Sequence, residues 1–166
     1  MTTVFRIVRL YALAAWVGSL FFFGFVAAIA FRTMPDAHLA GLIVRSALTA
    51  LHEIGMIAGA VYLLFTLALL GTQRDSHPVR AAELVLVLLM LSLTAYSQYS
   101  VIPRMEKDRI LLGGDVAQAP LDAPARQHFE RLHRVSVRVE GAILIEGLML
   151  LGMAAVHGRD DFDRFD

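Results

Sequence analysis

Imidazole and carboxylate are the common ligands of divalent metals. His52, Glu53, His133 and Glu140 supply both types within an otherwise apolar sequence. The two histidines also suggest a pair of axial haem ligands. The four residues come from separate segments, so no short spacing motif unites them. The competing expectation is structural: polar residues at the ends of membrane helices that bond loop backbone and neighbouring helix termini. Glu146 poses a different question, because it lies in the middle of an apolar run. An ionised carboxylate at the centre of a bilayer costs about 2.5 kcal/mol or more. Glu146 is therefore expected to be neutral or to find a donor, as a tie between helices or as a proton or cation relay.

Such residues matter only if something positions them at common depth. The chain has 166 residues, 57% hydrophobic and 18% charged, against about 25% charged in a soluble domain. The charges gather at a few places, with long apolar runs between them. Four runs reach the ~20 residues that a helix needs to cross a hydrocarbon core: 10–31, 50–71, 83–102 and 135–156. Each is two to three times the length of a strand and rich in Leu and Ala, which predicts an all-α, integral-membrane four-helix bundle forming one domain. The first run is longer than the 7–15-residue core of a cleavable leader and holds Trp16, Phe21, Phe22, Phe23 and Phe25, so it reads as a span. Gly55 and Gly59 form a GxxxG, a spacing that lets helix backbones approach closely in lipid. Gly18, Gly24, Gly141, Gly147 and Gly152 are further candidates for close packing.

The connections carry their own signals. Met34-Pro35-Asp36 reads as a stop followed by an N-cap, with a new helix from about Ala37. The third span is expected to stop at Pro103-Arg104. Gly113-Gly114-Asp115 should break helix, and Asp122-Ala123-Pro124 should start the last one outside the membrane. Four antiparallel spans bring His52, Glu53, Arg104, His133 and Ser136 to one membrane surface, with Glu140 about two turns below it. On the last helix, His133, Ser136, Glu140, Leu144 and Gly147 share a stripe. On the third, Thr94, Ser97 and Gln98 do.

Several functions are disfavoured at once. Formal net charge is zero, which gives no support to a nucleic-acid partner. No Cys is present, which excludes disulfides, thiolate zinc sites and iron–sulfur clusters. No phosphate-binding loop, nucleophile elbow or zinc-protease helix motif occurs, so a non-enzymatic role is expected. The expected partners are the lipid bilayer and a second copy or another membrane protein. Haem or a divalent metal remains an alternative cofactor, and a structural subunit of a membrane complex is a third reading.

Three segments carry a family resemblance: Trp16-Val17-Gly18 with Phe21-Phe22-Phe23-Gly24-Phe25, Val101-Ile102-Pro103-Arg104-Met105, and Phe129 to Val137, which includes His133 and Ser136. Together they resemble small bacterial four-helix membrane proteins related to eukaryotic transmembrane protein 205. That family's pattern places Asn after the Ser-Val segment, where this chain has Glu140. The resemblance implies a bacterial inner-membrane protein with four spans; four spans put both termini on one side, and Arg6 and Arg9 beside the first span favour the cytoplasmic one. Because the eukaryotic relative is associated with resistance to platinum drugs, it also implies a role in stress or in transport of a cation or small solute. The first span is similar, more faintly, to haem-binding membrane proteins that carry a His seven residues before the Trp; here that position is Arg9.

Overall fold

The structure, a computed structural model, describes residues 2–72 and 78–162. Within them the chain forms helices α1 (Thr2–Thr33), α2 (Ala37–Thr72), α3 (Pro78–Tyr96), α4 (Ile102–Leu111) and α5 (Pro124–Phe162), with a π-helical turn at Ser97–Val101 joining α3 to α4. Part of the expected Thr72–Ala82 connection, including Arg74, and the terminal Arg164 lie outside the described residues.

Local chemistry explains the boundaries. The Asp36 carboxylate accepts the His38 N–H at 2.9 Å, and α2 begins at Ala37. The 37–49 stretch then continues into the second span without a break. Gly113 and Gly114 take φ of +74° and +97° directly after α4, a turn that side chains with a Cβ resist. Pro124 opens α5, where a missing N–H costs nothing.

Pro103 does not end the third helix, contrary to the expectation above. A proline clashes with the carbonyl four residues back. Here the π-helical turn directly precedes it and widens the helix, so the chain passes through Pro103 and stays helical to Leu111.

Three segments are long and apolar enough to cross a membrane: Thr2–Thr33, Ala37–Gly71 and Ala81–Leu111. The fourth expected span lies within α5, which carries Arg138, Glu140 and Glu146 over the same stretch. α1, α2, the continuous α3–α4 rod and α5 alternate in direction. α1 packs on α2, α2 on α3, α3 on α5, and α5 back on α1. This closed ring of four places α1 diagonally opposite α3, and α2 opposite α5.

The interior is apolar through most of its length. Leu13, Trp16, Val17 and Leu20 of α1 meet Leu51, Ala58 and Tyr62 of α2, Val87 and Met90 of α3, and Ile143 and Leu150 of α5. The two GxxxG glycines serve one indole. A Cβ on Gly55 would strike Trp16, and one on Gly59 would come within 2.5 Å of both Trp16 Cζ3 and Leu91 Cδ2. Gly147 similarly seats Val17, whose Cγ2 would lie 2.7 Å from an added Cβ. The other candidate glycines, Gly18, Gly24, Gly141 and Gly152, would meet nothing within 4 Å and mediate no close packing.

Candidate functional site

The most connected polar group in the interior is His52. Its side chain is 1% exposed, and both ring nitrogens are engaged: Nδ1 lies 2.8 Å from Gln98 Oε1, and Nε2 lies 2.8 Å from Glu140 Oε1. Ser97 Oγ donates to the same Glu140 oxygen at 3.1 Å. The second carboxylate oxygen, Oε2, is buried and has no hydrogen-bond partner. Glu140 also lines a partly open cavity of about 640 Å³ between α1 and α2 on one side and α4, α5 and the 112–123 loop on the other.

The cluster sits at the start of the π-helical turn: Ser97, its first residue, meets Glu140, and Gln98 meets His52. Turns of this kind recur at functional sites. The Gln98 amide can turn either its carbonyl or its NH₂ toward Nδ1, so it can accept from the ring or donate to it.

A second polar centre occupies the opposite end of the bundle. Arg9 Nη1 donates to Glu83 Oε2 at 2.8 Å and to Thr66 Oγ1 at 3.4 Å, and its guanidinium carbon lies 5.1 Å from the centre of the Tyr62 ring. Arg9 is 11% and Glu83 1% exposed. The expected flanking residues of spans one and three therefore form a buried ion pair. Arg9, which stands at the haem-type His position, is fully committed to it.

Among the other expected site residues, Glu53 is exposed, and His133, also exposed, lines the same cavity as Ser136 and Glu140. Among the described residues no group of three or more His, Asp or Glu is placed to hold an ion. His52 is buried in the interior, whereas His133 is not. Glu146 has a buried Oε2 without a partner. The hydroxyls of Ser19, Ser92 and Thr94 donate to their own helices, at Trp16 O, Leu88 O and Met90 O. Among the resemblance residues, Trp16 and Ser136 are buried, whereas Gly18, Pro103, Arg104 and His133 are exposed.

The loop-side surface is clasped by charge. Glu106 accepts Arg109 at 2.9 and 2.7 Å and also pairs with Arg45 of α2. The Arg109 guanidinium, and secondarily Arg45, holds the Glu106 carboxyl below the usual carboxylate range. Asp108 of α4 meets His128 of α5 at 2.6 Å. Sequence reasoning missed the Arg9–Glu83 pair and did not join Gln98 to His52. The available signal was opposite charge at the starts of two spans that begin on the same face.

No curated protein and no solved structure matches the chain. One family model does, over residues 11–109. The match includes His52, Ser97, Gln98 and the π-helical turn, and it stops before Glu140. The chain belongs to the family described as a domain of unknown function, DUF4149.

Proposed function

We propose that the protein is a non-catalytic membrane bundle that binds a small solute in its side cavity and exchanges a proton with it, or alongside it, at Glu140 and His52. One observation carries this reading: His52 is fully buried, has both ring nitrogens bonded, and touches a carboxylate that is itself part of the cavity wall. An acid–base pair with an unsatisfied oxygen beside an apolar cavity suits a ligand that arrives from lipid and brings a donor with it. Apolar side chains fill much of the interior between Glu140 and the Arg9–Glu83 pair, so passage across the membrane would involve a second copy or a change of packing. Four crossings, both termini on the cytoplasmic side of a bacterial inner membrane and kinship with transmembrane protein 205 are parts of the same proposal. They are supported by the helix lengths and by the Trp16, Pro103 and Ser136 segments.

The test is proton movement into sealed vesicles that hold the purified protein and a trapped pH-sensitive dye. Wild type should equilibrate an imposed pH step faster than empty vesicles, and Glu140→Gln and His52→Ala should return to the empty-vesicle rate. Rates equal to wild type in both variants would reject the proposal.

A further inference from the structure

One wall of the side cavity carries a polar strip on a single face of α5. His133, Ser136 and Glu140 all line it, at i, i+3 and i+7. Ser136 is 5% exposed, and among the described residues its hydroxyl has no hydrogen-bond partner. One turn on, Glu140 gives Oε1 to His52 and Ser97 and keeps Oε2 buried without a partner. Residues four apart on a helix are neighbours, with about 5–6 Å between their Cβ atoms. A hydroxyl oxygen accepts as readily as a carboxylate does. One group rich in donors can therefore bond both.

The charge of the wall points the same way. Arg45 and Arg109 both pair with Glu106, and Arg126 pairs with Glu130. Asp115 is turned to the Ala117 N–H, and Glu140 meets His52. Across the wall and Glu130, three arginines thus face four carboxylates, a formal excess of one negative charge with the histidines neutral. The remaining surface is apolar and partly aromatic, with Phe23, Phe31 and Phe129 beside Leu20, Leu48 and Leu144. Aromatic faces attract ammonium groups. The volume of about 640 Å³ lies within the roughly 300–1,000 Å³ of pockets that hold drug-sized molecules.

We infer that the cavity binds a protonated hydrophobic amine, its ammonium group donating to Ser136 and Glu140 and its apolar body packed against the phenylalanine wall. The inference rests on the preceding reading of the cavity and names the class of its ligand.

The probe is dansylcadaverine, a primary amine joined to a fluorescent apolar ring system, added to the full chain in detergent micelles. Leu20 of the wall lies about one turn from Trp16, so energy transfer from the chain's one tryptophan reports occupancy. Wild type should show saturable transfer. Acetylating the amine removes its charge and should weaken binding about tenfold, the effect of one lost charge-assisted contact. Trimethylating it keeps the charge but removes every ammonium N–H, and should weaken binding as well. Glu140→Gln should lose about tenfold in affinity for the amine, and Ser136→Ala should lose less. Gly24→Leu fills the cavity where a Cβ would meet nothing; it should keep the wild-type thermal midpoint and lose the saturable signal. Equal binding of the amine and its acetylated form, or undiminished binding in Glu140→Gln or Gly24→Leu, overturns the inference and marks the transfer as partitioning into the micelle. Proton exchange without saturable amine binding would overturn it while leaving the proton reading standing; amine binding that Glu140→Gln weakens, without proton exchange by wild type, would reject that reading and support the site.

Discussion

His52 and Glu140 join α2 to α5, two helices that lie across the bundle's diagonal rather than side by side. Arg9 and Glu83 join α1 to α3 across the other diagonal, at the opposite end. Each diagonal thus has one buried polar bridge, and Trp16, Tyr62 and Met90 fill the interior between them. Neighbouring helices of a ring are held by surface packing. Opposed helices need a contact that reaches through the centre, and these two bridges supply it.

The first bridge is held by its acceptor geometry. Glu140→Ala leaves His52 Nε2 and the Ser97 hydroxyl without partners inside the protein. Each such group costs about 1–3 kcal/mol, so the thermal midpoint in detergent should fall clearly. Glu140→Gln retains an oxygen acceptor and should fall much less. Equal losses in the two variants would mean that the charge, not the acceptor, stabilises the fold.

The second bridge should show the usual asymmetry of buried ion pairs. Removing one member strands the other, at about 3–5 kcal/mol, whereas replacing both by apolar residues of similar size is often near neutral. Glu83→Leu alone is expected to unfold far more readily than Arg9→Met with Glu83→Leu. A double-mutant cycle read by denaturant titration in mixed micelles decides this, and additive losses would contradict it.

The glycine seat of Trp16 is open to a direct comparison. Gly59→Ala places a methyl group 2.5 Å from Trp16 and Leu91 and should cost about 1–3 kcal/mol as overpacking. It should also alter the emission of the chain's one tryptophan. Gly18→Ala, with nothing near its Cβ, should be neutral or slightly stabilising.

The loop-side clasp carries a pH signature. Glu106 is held below its ordinary value of 4.5, chiefly by Arg109. A carboxylate whose folded value is lowered adds stability that is complete above the unfolded value and fades as pH falls through the folded one. The 112–123 loop should therefore resist proteolysis unchanged from pH 7 down to about 5 and become more susceptible below about 4.5. Glu106→Gln should show the acid-state susceptibility already at pH 7.

The helical segments were legible because membrane spans announce themselves by length. Runs such as 10–31 and 50–71 admit few alternatives, and the Asp36 and Pro124 starts follow from capping chemistry. The site was legible only in part. His52 and Glu140 stood out as polar residues in apolar surroundings, but their joining depends on which helices are diagonal, and no local pattern encodes that order. Arg9 and Glu83 looked like span borders because charge at a helix end is normally solvated; burial of the pair follows from partner placement, not from either residue's type. Pro103 reads as a stop by every local rule, and it is passed only because the preceding turn is widened.

That widened turn has a consequence for the register of everything after it. An α-helix rotates about 100° per residue, so one extra residue between Ser97 and Val101 turns the whole of α4 by about that angle about the axis. Asp108 reaches His128, and Glu106 reaches Arg45, in the phase that results. The five-residue turn therefore acts as a vernier between the membrane part of the helix and its loop-side extension. Its length counts for more than the identity of most of its residues: deleting a single one would turn the charged end of α4 toward the wrong neighbours.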